Sequence, residues 1–136
     1  MKIYIASSWK NQHAVEMLTW FLRRNGHEVA SFVENNYGEC QEAIKPTTFE
    51  EWLTTKGAQQ SFDYDTTGAT QSDAVVYLGP SGTDAWAEVG AAWASNVPVI
   101  GLWAKGEPSG LMRKMVSWVP NFGRLIDYLA EIELGV

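Results

Sequence analysis

The residues best suited to chemistry stand in one stretch, GPSGTDAWAEVGAA, at residues 79–92. Asp84 and Glu88 are four residues apart there, so a helix places both carboxyl groups on one face. Asp84 also has a purely structural explanation, because an acid in the first turn of a helix is stabilised by the helix dipole. Glu88 is flanked by tryptophan, alanine and valine, and an acid among apolar residues is either paired or functional. We therefore interpret Glu88 as a functional carboxylate and Asp84 as a candidate substrate-binding residue.

The turn that precedes these acids has glycine or proline at positions 79, 80 and 82, which favours a tight bend and close approach of a ligand to the backbone. Ser81 and Thr83 are residue types that cap helices, and backbone N–H groups at such a turn can bind a phosphate. The turn lacks the lysine of a P-loop and does not match the G-x-G-x-x-G dinucleotide fingerprint. We therefore take Ser81, Gly82 and Thr83 as candidate substrate-binding residues.

A second candidate segment, IASSW at residues 5–9, ends a β-rich run. Ser7 and Ser8 offer hydroxyl and backbone N–H groups, and Trp9 offers a flat face on which a ring can stack. The alternative interpretation is a serine turn followed by a packed tryptophan.

Three acids and two aromatic residues precede a buried strand in a third segment, FDYDTTGATQSD at residues 62–73. Asp73 stands directly before the strand and is explained as a cap or turn residue. Asp63 and Asp65 have no such explanation, so both are candidate site residues.

The composition limits the classes of partner. The 136 residues fit one domain, 46% of them are hydrophobic, and the formal net charge is −6. An acidic chain does not attract a polyanion, which argues against a nucleic-acid polymer as partner. The N-terminus lacks a signal-peptide pattern, and no apolar run approaches the roughly 20 residues of a membrane helix. We expect a cytoplasmic protein with no membrane partner.

Cysteine and histidine usage predicts neither a disulfide nor a metal site. Cys40 is the single cysteine, which fits a reducing compartment, and no obvious base partner makes it a nucleophile. His13 and His27 lack metal-ligand spacing, so we predict no metal and no cofactor. Only 19% of the residues are charged and seven are tryptophan. Because surfaces of this kind are often buried against another copy, we expect a homo-oligomer, a dimer or higher.

Apolar periodicity and turn residues predict alternating strands and helices. Strands are predicted at residues 2–7, 27–33, 74–79, 98–103 and 116–119, and helices at residues 11–25, 49–55, 62–72, 84–95, 109–114 and 121–132. Continuous apolar strands that alternate with helices are typical of a single-domain α/β sandwich around a parallel sheet. Ligands bind such sheets beyond the carboxyl ends of the strands, which directs attention to the loops at residues 7–10, 79–84 and 103–110.

These segments carry a family resemblance. KIYIASSW, FDYDTTGATQSDAVVYL and SGTDAWAEVGAAWASNVPVIGL resemble, in order and rough spacing, the nucleoside 2-deoxyribosyltransferase family, over most of the chain. The core of the match is E-x-G-x-A, here Glu88, Gly90 and Ala92. The resemblance implies a three-layer α/β sandwich of residues 1–136 with a five-stranded parallel sheet in flavodoxin-like, Rossmann-like strand order.

The resemblance also implies roles for individual residues. Glu88 matches the glutamate that attacks C1′ of the sugar and forms a covalent glycosyl-enzyme. Asp65, with Asp63 as a competitor, matches an aspartate that holds the sugar and assists proton transfer to the base. Tyr4 and Trp9 match aromatic residues that line the base pocket. The chemistry agrees, because a carboxylate beside C1′ stabilises the positive charge that builds on the sugar, and a second acid protonates the departing base.

Departures from the family pattern leave alternatives open. Gly110 stands where family transferases carry an asparagine that enters the neighbouring subunit's site, so the contact to the sugar 5′-hydroxyl is not matched. Ser7, Ser8, Ser81 and Ser109 could instead bind a 5′-phosphate, a pattern similar to the related deoxynucleoside 5′-monophosphate N-glycosidases. The main expectation is cleavage or transfer at the N-glycosidic bond of a small nucleoside or nucleotide. The alternatives are a nucleotide N-glycosidase that only hydrolyses and a nucleotide-binding sensor without turnover.

Overall fold

Strands and helices alternate along the computed structural model, which describes residues 1–36 and 48–135. The strands are β1 Lys2–Ala6, β2 Glu28–Ser31, β3 Ala74–Leu78, β4 Val99–Leu102 and β5 Ser117–Val119. The helices are α1 Gln12–Arg24, α2 Phe32–Asn35, α3 Phe49–Leu53, α4 Lys56–Gln71, α5 Thr83–Ala94 and α6 Phe122–Glu133. Short 3₁₀ segments cover Trp9–Asn11 and Leu111–Met115. Cys40, and with it the expectation that no cysteine acts as a nucleophile, lies outside the described residues.

The five strands form one sheet in the order β2-β1-β3-β4-β5, and every neighbouring pair is parallel. This is the flavodoxin-like order, so the predicted α/β fold with a five-stranded parallel sheet is confirmed. The strand order reverses between β1 and β3, because the chain leaves β1 toward β2 and leaves β3 toward β4. The crevice at the carboxyl ends of β1 and β3 is therefore the switch point at which ligands bind in such sheets.

Helices cover both faces of the sheet, and each face has its own apolar core. On the first face, α1 and α6 contribute leucine and valine, namely Val15, Leu18, Leu22, Leu125 and Leu129. On the second face, α4 and α5 contribute small residues, namely Ala69, Ala85, Val89 and Ala92. Small side chains let α5 lie close to the sheet, which brings its acids within reach of the strand residues. None of the helices in the described part of the chain combines the length and apolarity that crossing a membrane requires.

The second strand is shorter than the sequence predicts. A strand is predicted over residues 27–33, but β2 ends at Ser31, and Phe32 and Val33 begin the short helix α2. Both residues are buried. The apolar run therefore reflects burial in a helical turn, which periodicity cannot distinguish from a strand over so few residues.

The helix that carries Asp65 is longer than the sequence predicts. A helix is predicted over residues 62–72, whereas α4 begins at Lys56. Thr55 caps its start, because the Thr55 hydroxyl accepts a hydrogen bond from the Ala58 N–H at 3.1 Å. The first turns of α4 are largely polar and show no apolar periodicity, so their helical state depends on this cap and on packing against its neighbours.

Candidate active site

A hydrogen bond between Tyr4 and Glu88 lies at the centre of the switch-point crevice. Tyr4 is on β1 and is completely buried, and its hydroxyl donates to Glu88 Oε1 at 2.6 Å. The tyrosine ring fits beneath α4 because residue 68 is glycine, and a Cβ atom at Gly68 would overlap that ring. The family resemblance places Tyr4 in a base pocket. Here the Tyr4 side chain contacts Glu88 and lines neither of the two pockets beside it, and its role in a base pocket stays a prediction.

Glu88, in the second turn of α5, shares its surroundings with two further acids, Asp65 of α4 and Asp84 of α5. Burial is the main cause that raises the pKa of Glu88 to about 8. The hydrogen bond from Tyr4 opposes this rise, and Asp65 and Asp84 add to it. Burial and the nearby Glu88 also hold the pKa of Tyr4 far above its ordinary value, so the phenol remains a hydrogen-bond donor. Glu88 therefore keeps its proton over a pH range in which an ordinary carboxyl group has lost it.

A polar pocket of about 300 Å³ opens beside Glu88. Its lining combines hydroxyl groups, backbone at the start of α5 and the three acids: Ser7, Ser8, Trp9, Phe32, Asp65, Gly82, Thr83, Asp84, Ala85 and Glu88. The volume is at the lower end of the range for small-molecule sites. The polar pocket can therefore hold a sugar-sized group next to the Glu88 carboxyl.

An aromatic groove of about 280 Å³ lies beside the same three acids. Its lining is Phe49, Trp52, Leu53, Ala58, Phe62, Asp65, Thr66, Ala69, Asp84, Ala87, Glu88 and Ala91. The rings of Phe49 and Trp52 stack, with centroids 5.9 Å apart and an interplanar angle of 30°. Asp65, Asp84 and Glu88 thus stand between a polar and an aromatic compartment, an arrangement that suits a ligand with one polar part and one flat apolar part.

Side-chain hydrogen bonds connect the loops of the polar pocket. Ser7 donates to the carbonyl oxygen of Leu78 at 2.6 Å, and Asn11 donates to Ser7 Oγ at 3.1 Å and to the carbonyl oxygen of Pro80 at 2.8 Å. The Ser8 side chain caps the 3₁₀ segment by accepting from the backbone two residues later. These bonds fix the end of β1 relative to the turn between β3 and α5, so the pocket is held from two sides.

Trp9 and Phe32 form the aromatic part of the polar pocket. Their rings are nearly perpendicular, at 84°, with centroids 5.3 Å apart. Trp9 is 48% exposed, so part of its ring remains accessible to a ligand. A stacking role of Trp9 toward a ligand stays a prediction.

A buried network lies on the side of α5 that faces away from Glu88. It is centred on Glu107, whose side chain has no exposed surface. Both Glu107 carboxylate oxygens accept from the Tyr77 hydroxyl at 2.8 Å, and Oε1 also accepts from Trp86 Nε1 at 3.2 Å and from Arg113 Nη2 at 2.8 Å. Ser81 donates to the Tyr77 hydroxyl at 2.9 Å. These five residues satisfy one another's hydrogen-bonding groups in the protein interior.

The structure brings most of the predicted site residues to the polar pocket, namely Ser7, Ser8, Trp9, Asp65, Gly82, Thr83, Asp84 and Glu88. Tyr4 contacts Glu88 without lining the pocket, and three further predicted residues lie elsewhere. Asp63 accepts a hydrogen bond from Gln59 on the exposed side of α4. Ser81 belongs to the buried network, and Ser109 is exposed in the loop that follows β4.

Sequence reasoning misses several residues that shape the site. Phe32 is assigned to a strand, although its ring lines the polar pocket. Phe49 and Trp52 are predicted only as part of an amphipathic helix, and nothing in that pattern shows which face meets the acids. Glu107 lies in the loop at residues 103–110, which the topology does indicate, but a single loop glutamate carries no signal of burial.

Other parts of the described chain offer weaker chemistry. A groove of about 550 Å³ lies between α1 and α6, and its lining is apolar apart from Glu16. Across residues 1–36 and 48–135, no group of three or more histidine, cysteine, aspartate or glutamate side chains is arranged to hold a metal ion. The acids around Glu88 are therefore the strongest candidate for an active site.

Solved structures with the same fold include two enzymes. A 2-deoxyribosyltransferase from Bacillus psychrosaccharolyticus superposes with a TM-score of 0.71 at 20% identity, covering 97% of this chain and 96% of that one. The CMP N-glycosidase BcmB of Clostridium botulinum gives a TM-score of 0.60 at 18% identity, covering 96% and 98%. The chain has the nucleoside deoxyribosyltransferase fold.

A third structure, a conserved protein from Enterococcus faecalis V583, has a TM-score of 0.65 at 16% identity and covers 100% of this chain and 99% of that one. No family model and no curated protein sequence matches the chain. The shared property is therefore the fold, and it spans nearly the full length of each protein.

Proposed function

We propose that this protein cleaves or transfers at the N-glycosidic bond of a nucleoside through a covalent glycosyl intermediate on Glu88. The observation that carries the proposal is the Glu88 carboxyl group, which is hydrogen-bonded to Tyr4 and lines a sugar-sized polar pocket together with Asp65. The two enzymes among the fold neighbours, a 2-deoxyribosyltransferase and a CMP N-glycosidase, act on bonds of this class.

The proposed reaction proceeds in two displacements at C1′. In the first, a Glu88 oxygen bonds to C1′ while the C1′–N bond breaks, and Asp65 gives its proton to the departing base. In the second, the Asp65 carboxylate takes a proton from water or from an incoming base, which attacks C1′ and releases Glu88. Water yields the free sugar, and a second base yields a new nucleoside.

The raised pKa of Glu88 fits a nucleophile that is mostly protonated in the free protein and ionises as positive charge develops on the bound sugar. A pKa of about 8 leaves roughly one tenth of the free protein with Glu88 ionised at pH 7. Positive charge that develops on the sugar favours the carboxylate, so attack becomes easier as the glycosidic bond lengthens. The Tyr4 hydroxyl stabilises that carboxylate through its hydrogen bond and keeps one oxygen oriented.

The charges around the polar pocket favour an uncharged nucleoside over a 5′-monophosphate. Within residues 1–36 and 48–135, the side chains that line it include three acids and no lysine or arginine. The α5 N-terminus supplies about half a positive charge, which Asp84 in the first turn outweighs. A phosphate dianion would therefore meet net repulsion. The nucleotide N-glycosidase alternative depends instead on Ser7, Ser8 and the backbone of the β3–α5 turn as hydrogen-bond donors.

The test is incubation with deoxynucleosides, with and without a second free base, and with deoxynucleoside 5′-monophosphates. We expect base exchange or release of free base from the nucleosides. Release of base from the monophosphates alone would favour the nucleotide N-glycosidase. If no substrate is turned over but a nucleotide raises the melting temperature, the catalytic proposal fails and the sensor alternative is supported.

We further propose that the protein assembles as a homo-oligomer. Leu111 and Met112, which follow the β4 loop, are 73% and 55% exposed, and Trp93 and Trp103 are each 59% exposed. Large apolar side chains in such number are typical of a surface covered by another copy. Light scattering should give at least twice the mass of one chain, and the mass of one chain would contradict the proposal.

A further inference from the structure

The Glu107 side chain has no exposed surface, and it does not line either pocket beside Glu88. Its carboxylate accepts hydrogen bonds from three donors on three different elements: Tyr77 on β3, Trp86 on α5 and Arg113 on the 3₁₀ segment Leu111–Met115. A buried carboxylate is tolerated only when its oxygens are satisfied in this way. Glu107 therefore joins the sheet, the helix and the following loop at one point.

Trp86 is the residue through which this network reaches Glu88. The two residues are two positions apart on α5, which at 3.6 residues per turn places their side chains about 200° apart around the helix. Trp86 Nε1 donates to both Glu107 and the Tyr77 hydroxyl, at 3.2 and 3.0 Å, and its ring packs on Tyr77 with centroids 4.9 Å apart. Fixing Trp86 on one face of the helix fixes the direction of Glu88 on the other.

The network also contacts the turn that forms one wall of the polar pocket. The Glu107 carboxylate lies directly against the backbone of Gly79, where a Cβ atom would overlap its Oε2. Ser81, in the same turn, donates to Tyr77. From the other side, Asn11 donates to the carbonyl oxygen of Pro80 at 2.8 Å. The turn is thus held between the network and the end of β1.

We propose that Glu107 is a positioning residue: through Trp86 and the turn at residues 79–82, it sets the rotation of α5 and so the place of the Glu88 carboxyl beside Tyr4. The inference rests on the proposed function only for its consequence in catalysis. The consequence for the environment of Glu88 holds whether or not the protein turns over a nucleoside.

The first test compares Trp86→Phe and Glu107→Gln with the wild-type protein. Trp86→Phe removes the indole donor without changing any charge, and it keeps an aromatic ring against Tyr77. Titrating ¹³C-labelled glutamate carboxyl groups by NMR, with Glu88→Gln to identify the Glu88 signal, gives the midpoint of Glu88 directly. We expect the midpoint to fall by about one pH unit in both variants, because a displaced α5 admits water to Glu88.

The second readout is turnover. We expect kcat to fall roughly tenfold in Trp86→Phe while KM changes less than twofold, since the carboxyl is misplaced but the pocket lining is intact. Ile3→Val is the control, because Ile3 packs in the core on the other face of the sheet and its truncation lowers stability without touching the network. That control should keep the wild-type midpoint and kcat.

The outcomes separate the two proposals. A shifted Glu88 midpoint in a protein that turns over no nucleoside would support the positioning role and refute the proposed reaction. An unchanged titration midpoint of Glu88 in a folded Trp86→Phe variant would overturn the positioning role, whatever the turnover of that variant. If Glu107→Gln does not fold, Trp86→Phe alone decides the question.

Discussion

Helix α5 separates two glutamates that have opposite surroundings. Glu107 accepts hydrogen bonds from Tyr77, Trp86 and Arg113 and has no exposed surface. Glu88 accepts from Tyr4, has other acids nearby, and borders open pockets. On one side of the helix, hydrogen-bond donors stabilise the charged form of Glu107. On the other side, the charged form of Glu88 has fewer donors, and other acids lie nearby.

The difference explains why only one of the two carboxyl groups is suited to chemistry. A carboxylate surrounded by donors and an arginine gains little from a new positive charge nearby. A desolvated carboxyl with a raised pKa gains strongly when positive charge develops on a ligand. The protein therefore uses one glutamate as a structural acceptor and keeps the other reactive.

Replacing Glu88 should have the largest effect on activity. We expect Glu88→Ala to lower kcat on a nucleoside substrate by a factor on the order of 10³ or more, because the variant has no group to trap C1′. The fold should persist, since the Glu88 side chain borders a pocket. Circular dichroism together with the exchange assay checks both points, and Glu131→Gln on the exposed side of α6 is the matched control. Full activity in Glu88→Ala would exclude Glu88 as the nucleophile.

Removing the other glutamate should instead affect stability. Glu107→Ala leaves the Arg113 guanidinium without its carboxylate and the Tyr77 hydroxyl without the acceptor of its proton, while Trp86 keeps only its hydrogen bond to Tyr77. We expect the free energy of unfolding to fall by about 3–5 kcal/mol. Urea denaturation monitored by fluorescence measures this loss. A loss below about 1 kcal/mol would contradict a stabilising role of the network.

The pH dependence of stability should also distinguish Glu88. Its pKa is about 8 in the folded protein against an ordinary value of 4.5, so between these pH values the folded state keeps a proton that the unfolded chain has lost. The wild-type free energy of unfolding therefore falls as pH rises from 4.5 to 8 and stays low above that. Glu88→Gln cannot ionise and avoids this loss.

The stability of Glu88→Gln relative to wild type should be greater at pH 9 than at pH 4 by about 4–5 kcal/mol, the equivalent of the pKa shift of Glu88. Denaturation series at the two pH values measure the gain, with Glu131→Gln again as the control for loss of a surface charge. Parallel pH profiles for wild type and Glu88→Gln would contradict the burial of Glu88.

The smallest predicted effects are opposite shifts of the pH–rate profile. The rising limb of kcat/KM, which reports the ionisation of Glu88, should have its midpoint near pH 8. Tyr4→Phe removes the hydrogen bond that lowers the pKa of Glu88, so the limb should move to higher pH by about one unit. Asp84→Asn removes a charge that raises that pKa, so the limb should move to lower pH by a smaller amount. Shifts of the same sign in both variants would contradict these assignments.

The sequence predicts the sheet and most of the polar pocket because those features are local. Strand and helix patterns each extend over several residues, and the Asp84–Glu88 spacing places both acids on one side of α5 without further information. Parallel topology then brings Ser7 and Ser8 to the same crevice, since consecutive strands end at one edge of the sheet.

The remaining parts depend on contacts between distant segments. The hydrogen bond from Tyr4 to Glu88 joins residues 84 positions apart, and it passes beneath α4 only because residue 68 is glycine. The burial of Glu107 depends on Arg113 and Trp86 together. Asp63 and Asp65 look equivalent in sequence, and only the orientation of α4 separates them. No pattern within a single segment encodes such pairings.

The positions of two indoles give the molecule its own optical reporter. Trp9 lines the polar pocket and Trp52 lines the aromatic groove, and each contacts another aromatic ring. A ligand that fills one compartment should change the emission of its indole and leave the other unchanged. Difference spectra between the wild-type protein and its Trp9→Phe and Trp52→Phe variants would therefore reveal which compartment receives the base and which the sugar, without a label and before any bond is broken.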